Sequence, residues 1–441
     1  MARRRAALPA EPVEAEILSL SHDGRGVARI DGKAVFIQGA LPGETVTFRY
    51  RARRRRHDEG TVLEVLAASP DRVGPRCAHF GTCGGCSLQH LAPEAQVRAK
   101  QQALLDALAH LGKVAPEEIF APLVNQAPWG YRRKARLGVK YVTKKDKVLV
   151  GFRERGSSFI ADLSECHVLH PRIAQLLLPL GELIGGLSIA RQLPQIEVAM
   201  DDARLVLIFR VLEPPSAADR QARGAVAARH ELAVYLQPGG PESVAPLDAA
   251  LELHYALPDF ALDLAFLPSD FTQVNTDINR QMVSRAVDVL APERADRVLD
   301  LFCGVGNFSL PLAVRAGGVV GVEGDSGLVQ RARANARRNR LDNAQFFTAN
   351  LYEPLDGAPW LRERFAKALL DPPRSGAQEV LPLLPRLGVQ RLVYVSCYPG
   401  TLARDAGLLV AEHGYRLRGA GVMDMFPHTA HVESIAVFER E

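Results

Sequence analysis

Cys397 stands at the end of a predicted buried strand, 392–396, in the string Leu-Val-Tyr-Val-Ser-Cys. Strand ends of an α/β sheet are where such folds hold their ligands. Upstream lies Asp371-Pro372-Pro373-Arg374-Ser375-Gly376, and downstream lies Phe426-Pro427-His428-Thr429-Ala430-His431-Val432-Glu433. A thiol offers a nucleophile, and a carboxylate later in the same domain offers a base. Substitution on an electron-poor ring needs that pair. A strand-end cysteine by itself more often only packs, so the flanking strings are what single out Cys397. The rival thiol, Cys303, lies in a Gly-rich loop and reads as a packing residue.

A second string, Asp300-Leu301-Phe302-Cys303-Gly304-Val305-Gly306-Asn307-Phe308, follows another short apolar strand. Its glycines permit a sharp turn and a close approach of backbone to ligand. Glu323 ends the next strand, where an acid suits a bidentate grip on ribose hydroxyls. Ser309 occupies the place of a third glycine. The order strand, Asp-x-x-Cys-Gly-x-Gly, helix, strand, Glu points to S-adenosylmethionine rather than a nicotinamide dinucleotide.

Cys77, Cys83 and Cys86 make a Cys-x5-Cys-x2-Cys run, and Cys166 is the natural fourth member. Thiolates select zinc or iron–sulfur clusters. Zinc sites usually pair two close knuckles, whereas three local cysteines and one remote suit a cuboidal cluster better. The spacing is not the Cys-x3-Cys-x2-Cys of radical S-adenosylmethionine enzymes, and a fourth cysteine would close the iron that those enzymes leave open.

The elements that must position these groups fall into three segments of a 441-residue chain. Residues 11–69 read as five short strands (15–20, 26–30, 33–38, 44–50 and 60–66) with a hairpin signal at Asp31-Gly32, which predicts a small OB-like barrel. The basic run Arg51–Arg56 is expected on the loop between the last two strands. Residues 70–268 hold the cysteine run, an amphipathic helix at 94–111 that is expected to dock on the catalytic domain, and a mostly strand-like stretch from 131 to 267. That stretch is broken by helical segments near 171–183 and 214–227. From 269 to 441, apolar strands at 298–301, 319–322, 344–348, 366–370 and 392–396 alternate with helices, which predicts a doubly wound, Rossmann-like parallel sheet.

Hydrophobic residues make up 47 % of the chain, enough for sizeable cores. No apolar run approaches the roughly 18 residues of a membrane span. The start, Met-Ala-Arg-Arg-Arg, has no apolar segment behind it, so no secretory signal is expected. The expectation is a cytoplasmic protein, in which six cysteines argue for metal or catalysis over disulfides. The net charge of +4 says less than its distribution. Arg49–Arg56 with Tyr50, and Arg132, Arg133, Lys134 and Arg136 with Trp129 and Tyr131, lean toward nucleic acid.

The C-terminal strings resemble the S-adenosylmethionine-dependent RNA uracil-C5 methyltransferases. Asp-Pro-Pro-Arg-x-Gly, Val-Tyr-Val-Ser-Cys, and Asp424-Met425-Phe426-Pro427-His428-Thr429-x-His431-Val432-Glu433 are that family's signatures, and Phe271-Thr272-Gln273-Val274-Asn275 matches a further segment. The resemblance implies Cys397 as nucleophile and Glu433 as general base. It implies cofactor contacts from Gln273, Phe302, Asn307, Glu323, Asn350 and Asp371, with Phe302 acting through its backbone and Asp371 alternatively meeting the uracil edge. His431 is expected to position rather than to act as a second base. The N-terminal strands look like a TRAM domain. Together with the four cysteines this resembles the ribosomal-RNA branch of the family, which implies a [4Fe-4S] cluster on Cys77, Cys83, Cys86 and Cys166, and a specific uridine of 23S rRNA as target. A monomer is expected. Another rRNA uridine or tRNA as target, and a non-catalytic RNA-binding assembly factor, are the alternatives. One departure stands out: Tyr398 follows Cys397 where the family has asparagine.

Overall fold

The structure, a computed structural model, describes residues 8–9, 11–355 and 357–440. The Met-Ala-Arg-Arg-Arg start and the final residue of the predicted catalytic segment lie outside the described residues. Two compact units form. One holds the chain to Lys100 with Arg153–Ser158 and Phe426–His431; the other holds Gln101–Phe152, Phe159–Met425 and Val432–Glu441. Each draws on more than one of the three segments predicted above. Among the described residues no helix is long and apolar enough to cross a membrane.

The first unit is built on β1 (Val13–Glu16), β2 (Ser19–Leu20), β3 (Gly26–Ile30), β4 (Lys33–Gln38), β5 (Thr45–Arg53) and β6 (His57–Ala67). They form one six-stranded sheet in the order β1-β5-β6-β4-β3-β2. Every second side chain of β4 and β5 points inward, so Val35, Ile37, Val46, Phe48 and Tyr50 share one core. Asp31 and Gly32 both take positive φ, 49° and 79°, as a two-residue hairpin turn of this hand demands. The predicted strand at 15–20 is split in two, and the last strand begins three residues early. The basic run is therefore only partly a loop: Arg51–Arg53 extend β5, and Arg54–Arg56 make the turn. Arg51 and Arg53–Arg56 are exposed. Tyr50 is buried, as is Tyr131 of the other unit, so neither offers an open stacking face.

A helix α1 (Pro93–Ala107) begins in this unit and grips the segment 426–431. Gln96 Oε1 accepts the His428 N–H at 2.8 Å, and Lys100 Nζ donates to the Phe426 carbonyl at 2.9 Å. The N–H groups of Ser87 and Leu88 both donate to the His428 carbonyl at 2.9 Å.

The second unit contains two larger sheets and a hairpin. The first sheet comprises β8 (Lys134–Val142), β9 (Lys147–Gly151), β10 (Gln195–Met200), β11 (Leu205–Arg210), β12 (Leu232–Gln237) and β13 (Ala245–Pro246), in the order β13-β12-β11-β10-β8-β9. Short helices α2 (Pro171–Ala174) and α3 (Leu177–Gly185) and a longer α4 (Ala217–His230) accompany it. The hairpin is β14 (Leu253–Leu257) with β15 (Leu262–Phe266). The other sheet has eight strands: β7 (Glu118–Ile119), β16 (Arg297–Leu301), β17 (Gly318–Glu323), β18 (Ala344–Thr348), β19 (Lys367–Leu370), β20 (Arg391–Ser396), β21 (Tyr415–Met423) and β22 (Glu433–Arg440). Their order is β18-β17-β16-β19-β20-β22-β21-β7. Helices α5 (Thr276–Leu290), α6 (Ser309–Arg315), α7 (Ser326–Arg338), α8 (Leu383–Arg386) and α9 (Pro399–Ala411) complete the alternation. Strands β16 to β20 run parallel, and all but the edge strand β18 are largely apolar on both faces, as strands covered on both sides are. The turn after α1 packs on α9, where a Cβ on Gly112 would meet the Ala403 carbonyl at 2.4 Å.

Asp405 of α9 is fully buried. Its carboxylate accepts the Tyr394 hydroxyl at 2.6 Å, the Ala377 N–H at 2.8 Å and the Arg404 guanidinium at 2.7 Å. Removing it strands a buried hydroxyl and a buried N–H, each costing roughly 1–3 kcal/mol. Asp405→Ala is expected to lower unfolding stability by about 3 kcal/mol and Asp405→Asn by clearly less, as urea denaturation would measure.

Candidate active site

The strand order reverses between β16 and β19, which opens a crevice at the carboxyl ends of these two strands. Into it come the loop after β16, Glu323 at the end of β17, Asp371 directly after β19 and Cys397 directly after β20.

The loop after β16 is held from below. Phe302 and Cys303 donate their N–H groups to the Val322 carbonyl at 2.9 and 3.1 Å. Phe302, Gly304 and Gly306 take φ of 65°, 55° and 94°. A Cβ on Gly304 would meet nothing within 4 Å, so its left-handed backbone is what requires glycine there, and its face stays open. Phe302 carries the same conformation without that freedom, a strain of the kind found at functional sites. Glu323 accepts the N–H of Gly304 at 3.1 Å on one oxygen and that of Asp325 at 3.1 Å on the other. The Ser309 hydroxyl, in the place of a third glycine, donates to the buried carboxyl of Asp300. Burial, with Asp371 and Glu323 adding negative charge, pushes Asp300 up to about 8.

Asn307 turns toward α5. Its amide forms a reciprocal pair with that of Asn279 at 3.0 and 3.1 Å and accepts the Tyr255 hydroxyl at 2.9 Å. Asn279 and Tyr255 in turn line a cavity with Gln273, Arg133 and Lys134. Lys134 is anchored on the Pro268 and Asp270 carbonyls, and burial lowers its ammonium to about 8. Asn350 lies just beyond β18, exposed, and accepts the Tyr352 N–H at 3.1 Å.

Cys397 and Glu433 meet through strand register. β22 runs antiparallel to β20 with Ser396 opposite Ser434, and the Ser434 hydroxyl donates to the Ser396 carbonyl at 3.1 Å. Continued one residue outward, that register brings Cys397 opposite Glu433, and the two interact electrostatically. Burial, then the charges of Glu433 and Asp371, raises the Cys397 thiol to about 11, with Arg374 opposing. Glu433 is 3 % exposed. Burial and Asp371 lift its carboxyl to about 8, again against Arg374. Asp371 is raised to about 7 by burial and Glu323. The arrangement offers a half-buried thiol, a carboxyl titrating near neutrality and one nearby cation. These are the parts of covalent addition followed by proton removal.

Two supporting residues escaped sequence reasoning. Tyr352 packs on the Phe302 ring at 5.7 Å, donates to the Gly376 carbonyl at 3.0 Å and shares a hydrogen bond with Ser375 Oγ at 2.8 Å. Its signal was an aromatic residue two positions after a strand-end asparagine. Asp405 left no comparable signal. Cys303 is buried and its thiol is held well above the ordinary range by burial, in keeping with a packing role.

The cysteine run belongs to the first unit and Cys166 to the second. Cys83 Sγ accepts the Gly85 N–H at 3.4 Å, and Arg155 donates to the Cys86 carbonyl. The Cys83 thiol is raised chiefly by burial, with Cys77 adding to the rise and Arg155 opposing it. Among the described residues no three His, Cys, Asp or Glu side chains are gathered so as to hold a metal ion.

Comparison with known proteins gives a consistent result. The family described as tRNA (Uracil-5-)-methyltransferase matches residues 261–441, and the TRAM domain matches residues 10–49. The 23S rRNA (uracil(1939)-C(5))-methyltransferase RlmD of Alkalilimnicola ehrlichii is 56 % identical over all of this chain and 99 % of its own length. The protein of that name from Stenotrophomonas maltophilia K279a is 54 % identical over the whole of both chains. Among solved structures, the Pyrococcus abyssi tRNA (uracil-54, C5)-methyltransferase, in complex with S-adenosyl-L-homocysteine, aligns with a TM-score of 0.74. It is 24 % identical and the alignment covers 96 % of this chain and 99 % of that one, a likeness of fold.

In the substrate-free protein, alkylation of Cys397 by iodoacetamide, followed on its peptide by mass spectrometry, is expected to rise with a midpoint near pH 11. Glu433→Gln removes a negative neighbour, so it should lower that midpoint. The two proteins should differ only above about pH 8, where Glu433 is ionised. Arg374→Gln should move the midpoint the other way. A wild-type midpoint at the ordinary thiol value of about 8.5 would contradict the described electrostatics.

Proposed function

The chain belongs to the RNA uracil-C5 methyltransferase family, and we propose that it methylates C5 of one uridine in 23S rRNA, at the position numbered 1939, as a monomer in the cytoplasm. The observation that carries this reading is the β20–β22 register, which sets Cys397 beside Glu433 at the same sheet edge as the glycine loop.

Uracil C5 is a poor nucleophile. Addition of the Cys397 thiolate to C6 breaks the C5–C6 double bond and leaves carbanion character at C5. C5 would take its methyl group from the sulfonium of bound S-adenosylmethionine, whose S–CH3 electron pair stays on sulfur as a neutral thioether. Glu433 then takes the C5 proton, the electron pair re-forms the double bond, and the thiolate leaves C6. A base titrating near neutrality suits that transfer, and the raised carboxyl of Glu433 fits it. Arg374 favours the thiolate against the carboxylates around it.

The crevice fits the cofactor. Gly304 offers an open backbone face, and the acid at the end of β17 stands beside it. Gln273, Phe302, Asn307, Glu323, Asn350 and Asp371 are the proposed contacts. The first unit fits an RNA-binding OB-like module, because its β5–β6 corner presents exposed arginines to phosphates. Cys77, Cys83, Cys86 and Cys166 are the proposed ligands of a [4Fe-4S] cluster. A backbone N–H on Cys83 Sγ and the Arg155 guanidinium near Cys83 and Cys86 suit thiolates that would carry the negative charge of such a cluster. Its proposed role is structural or in RNA binding, since methyl transfer involves no electron transfer.

Methyl transfer from labelled S-adenosylmethionine to 23S rRNA fragments, with the modified base mapped, tests the reading. Label in tRNA or at another uridine would change the target, and no transfer to deproteinised RNA would overturn the activity.

Cys397→Ala is expected to abolish turnover, by more than about a thousand-fold, while S-adenosylmethionine binding survives. Glu433→Gln is expected to accumulate a protein–RNA adduct that persists in denaturing electrophoresis. Anaerobically purified protein should contain about four iron and four sulfide per chain, with visible absorption. Stoichiometric zinc without iron would exclude the cluster.

A further inference from the structure

Tyr398 sits one residue beyond the nucleophile and opens α9 in an extended conformation, φ −147° and ψ 107°. The six residues of β20 before it are mostly buried, yet Tyr398 is 42 % exposed. Its backbone is fixed on both sides. Its N–H donates to Ser396 Oγ at 3.2 Å, and its carbonyl accepts the Thr401 hydroxyl at 3.2 Å. Its ring lies close over Gly400, where an added Cβ would stand 2.8 Å from the ring.

The family's asparagine at this position has a side chain able to accept the first N–H groups of a helix. Tyrosine has none to offer, and α9 has no side-chain cap. The exchange trades a capping amide for a half-exposed aromatic face one residue from the thiol. Neighbouring side chains of an extended segment point to opposite sides, so the ring does not share the thiol's side of the chain. Tyr352, also exposed, is committed through its hydroxyl to the Ser375–Gly376 turn.

We propose that Tyr398 is a substrate-positioning residue whose ring stacks on the base of a nucleotide flanking the target uridine. This rests on the methyltransferase reading above. A target base that leaves its stack exposes its neighbours. An aromatic face on an anchored backbone can take up one of those neighbours at little entropic cost, without regard to its identity.

The test uses the full-length protein and an RNA fragment carrying 2-aminopurine on one side or the other of the target uridine. Wild type should change the fluorescence at one flank. Tyr398→Ala should abolish that change and raise KM for RNA about ten-fold, with kcat and the KM for S-adenosylmethionine moving far less. The salt dependence of binding should keep its slope, because no phosphate contact is lost. Tyr398→Phe should restore both signals, Tyr398→Asn should behave like alanine, and Gly400→Ala should weaken the fluorescence change by displacing the ring. An unaltered signal and KM in Tyr398→Ala, or wild-type behaviour of Tyr398→Asn, would overturn the proposal. If wild type binds this RNA with the fluorescence change but transfers no methyl group, the activity reading fails while the stacking stands.

Discussion

The site depends on the antiparallel seating of β22 against β20. That register places Glu433 next to Cys397, and it also crowds Glu433 against Asp371, with Glu323 and Asp300 following along the same sheet edge. Like charges in a dry crevice do not all ionise. Burial first, and this repulsion second, lifts Asp300, Asp371 and Glu433 to about 8, 7 and 8. Because these values exceed the roughly 4 of an unfolded carboxyl, the stability they carry is fully present below about pH 4 and is lost progressively up to about 7 to 8. Burial, with the same repulsion added, keeps the resting thiol protonated. Arg374 is the cation that lowers both the thiol and Glu433, so the placement of its loop governs both halves of the chemistry.

That loop is held from two directions. The Tyr352 hydroxyl fixes Ser375 and Gly376 from the cofactor side. From the α9 side, Arg404 donates to the Ser375 carbonyl at 2.9 Å while Asp405 takes the Ala377 N–H. Pro372 and Pro373 restrict the backbone between. Asp405 also receives the hydroxyl of Tyr394, on the strand that ends at the nucleophile. One buried carboxylate thus sets the position of Cys397's strand and of Arg374's loop together. Rigid support of this sort is what holds reacting groups within useful distance.

What the sequence disclosed follows the range of the forces involved. Apolar runs made β16 to β20 legible, because a strand covered on both faces needs an unbroken run. The glycine loop was legible because positive φ restricts residue choice locally. Ser309 could be noticed as a departure, but its bond to Asp300 could not be foreseen. Tyr50 and Tyr131 look like RNA contacts beside their arginines and are buried instead, since the facing of an aromatic depends on register rather than on its neighbours in sequence. Tyr352 bonds 24 residues away and Asp405 bonds 28 away. Contacts at that range are decided by topology, which composition and periodicity do not encode.

The same distinction clarifies why an iron–sulfur cluster would belong in a reaction without electron transfer. The chain leaves the second unit after Met425, spends six residues in the first, and returns at Val432, one residue before Glu433, the proposed base. Within the first unit, Ser87 and Leu88 hold the His428 carbonyl, and Ser87 Oγ accepts the Ala430 N–H at 2.9 Å. These two residues directly follow Cys86. His428 itself has a φ of 66°, a conformation that a non-glycine residue keeps only when its surroundings impose it. Anchoring Cys86 in a cluster would stiffen the backbone that grips this segment. The effect on Glu433 would come through the covalent chain, as a restriction on where β22 can begin. A metal group acting in this way needs neither a redox step nor an open coordination site, and four cysteine ligands would leave it no open site.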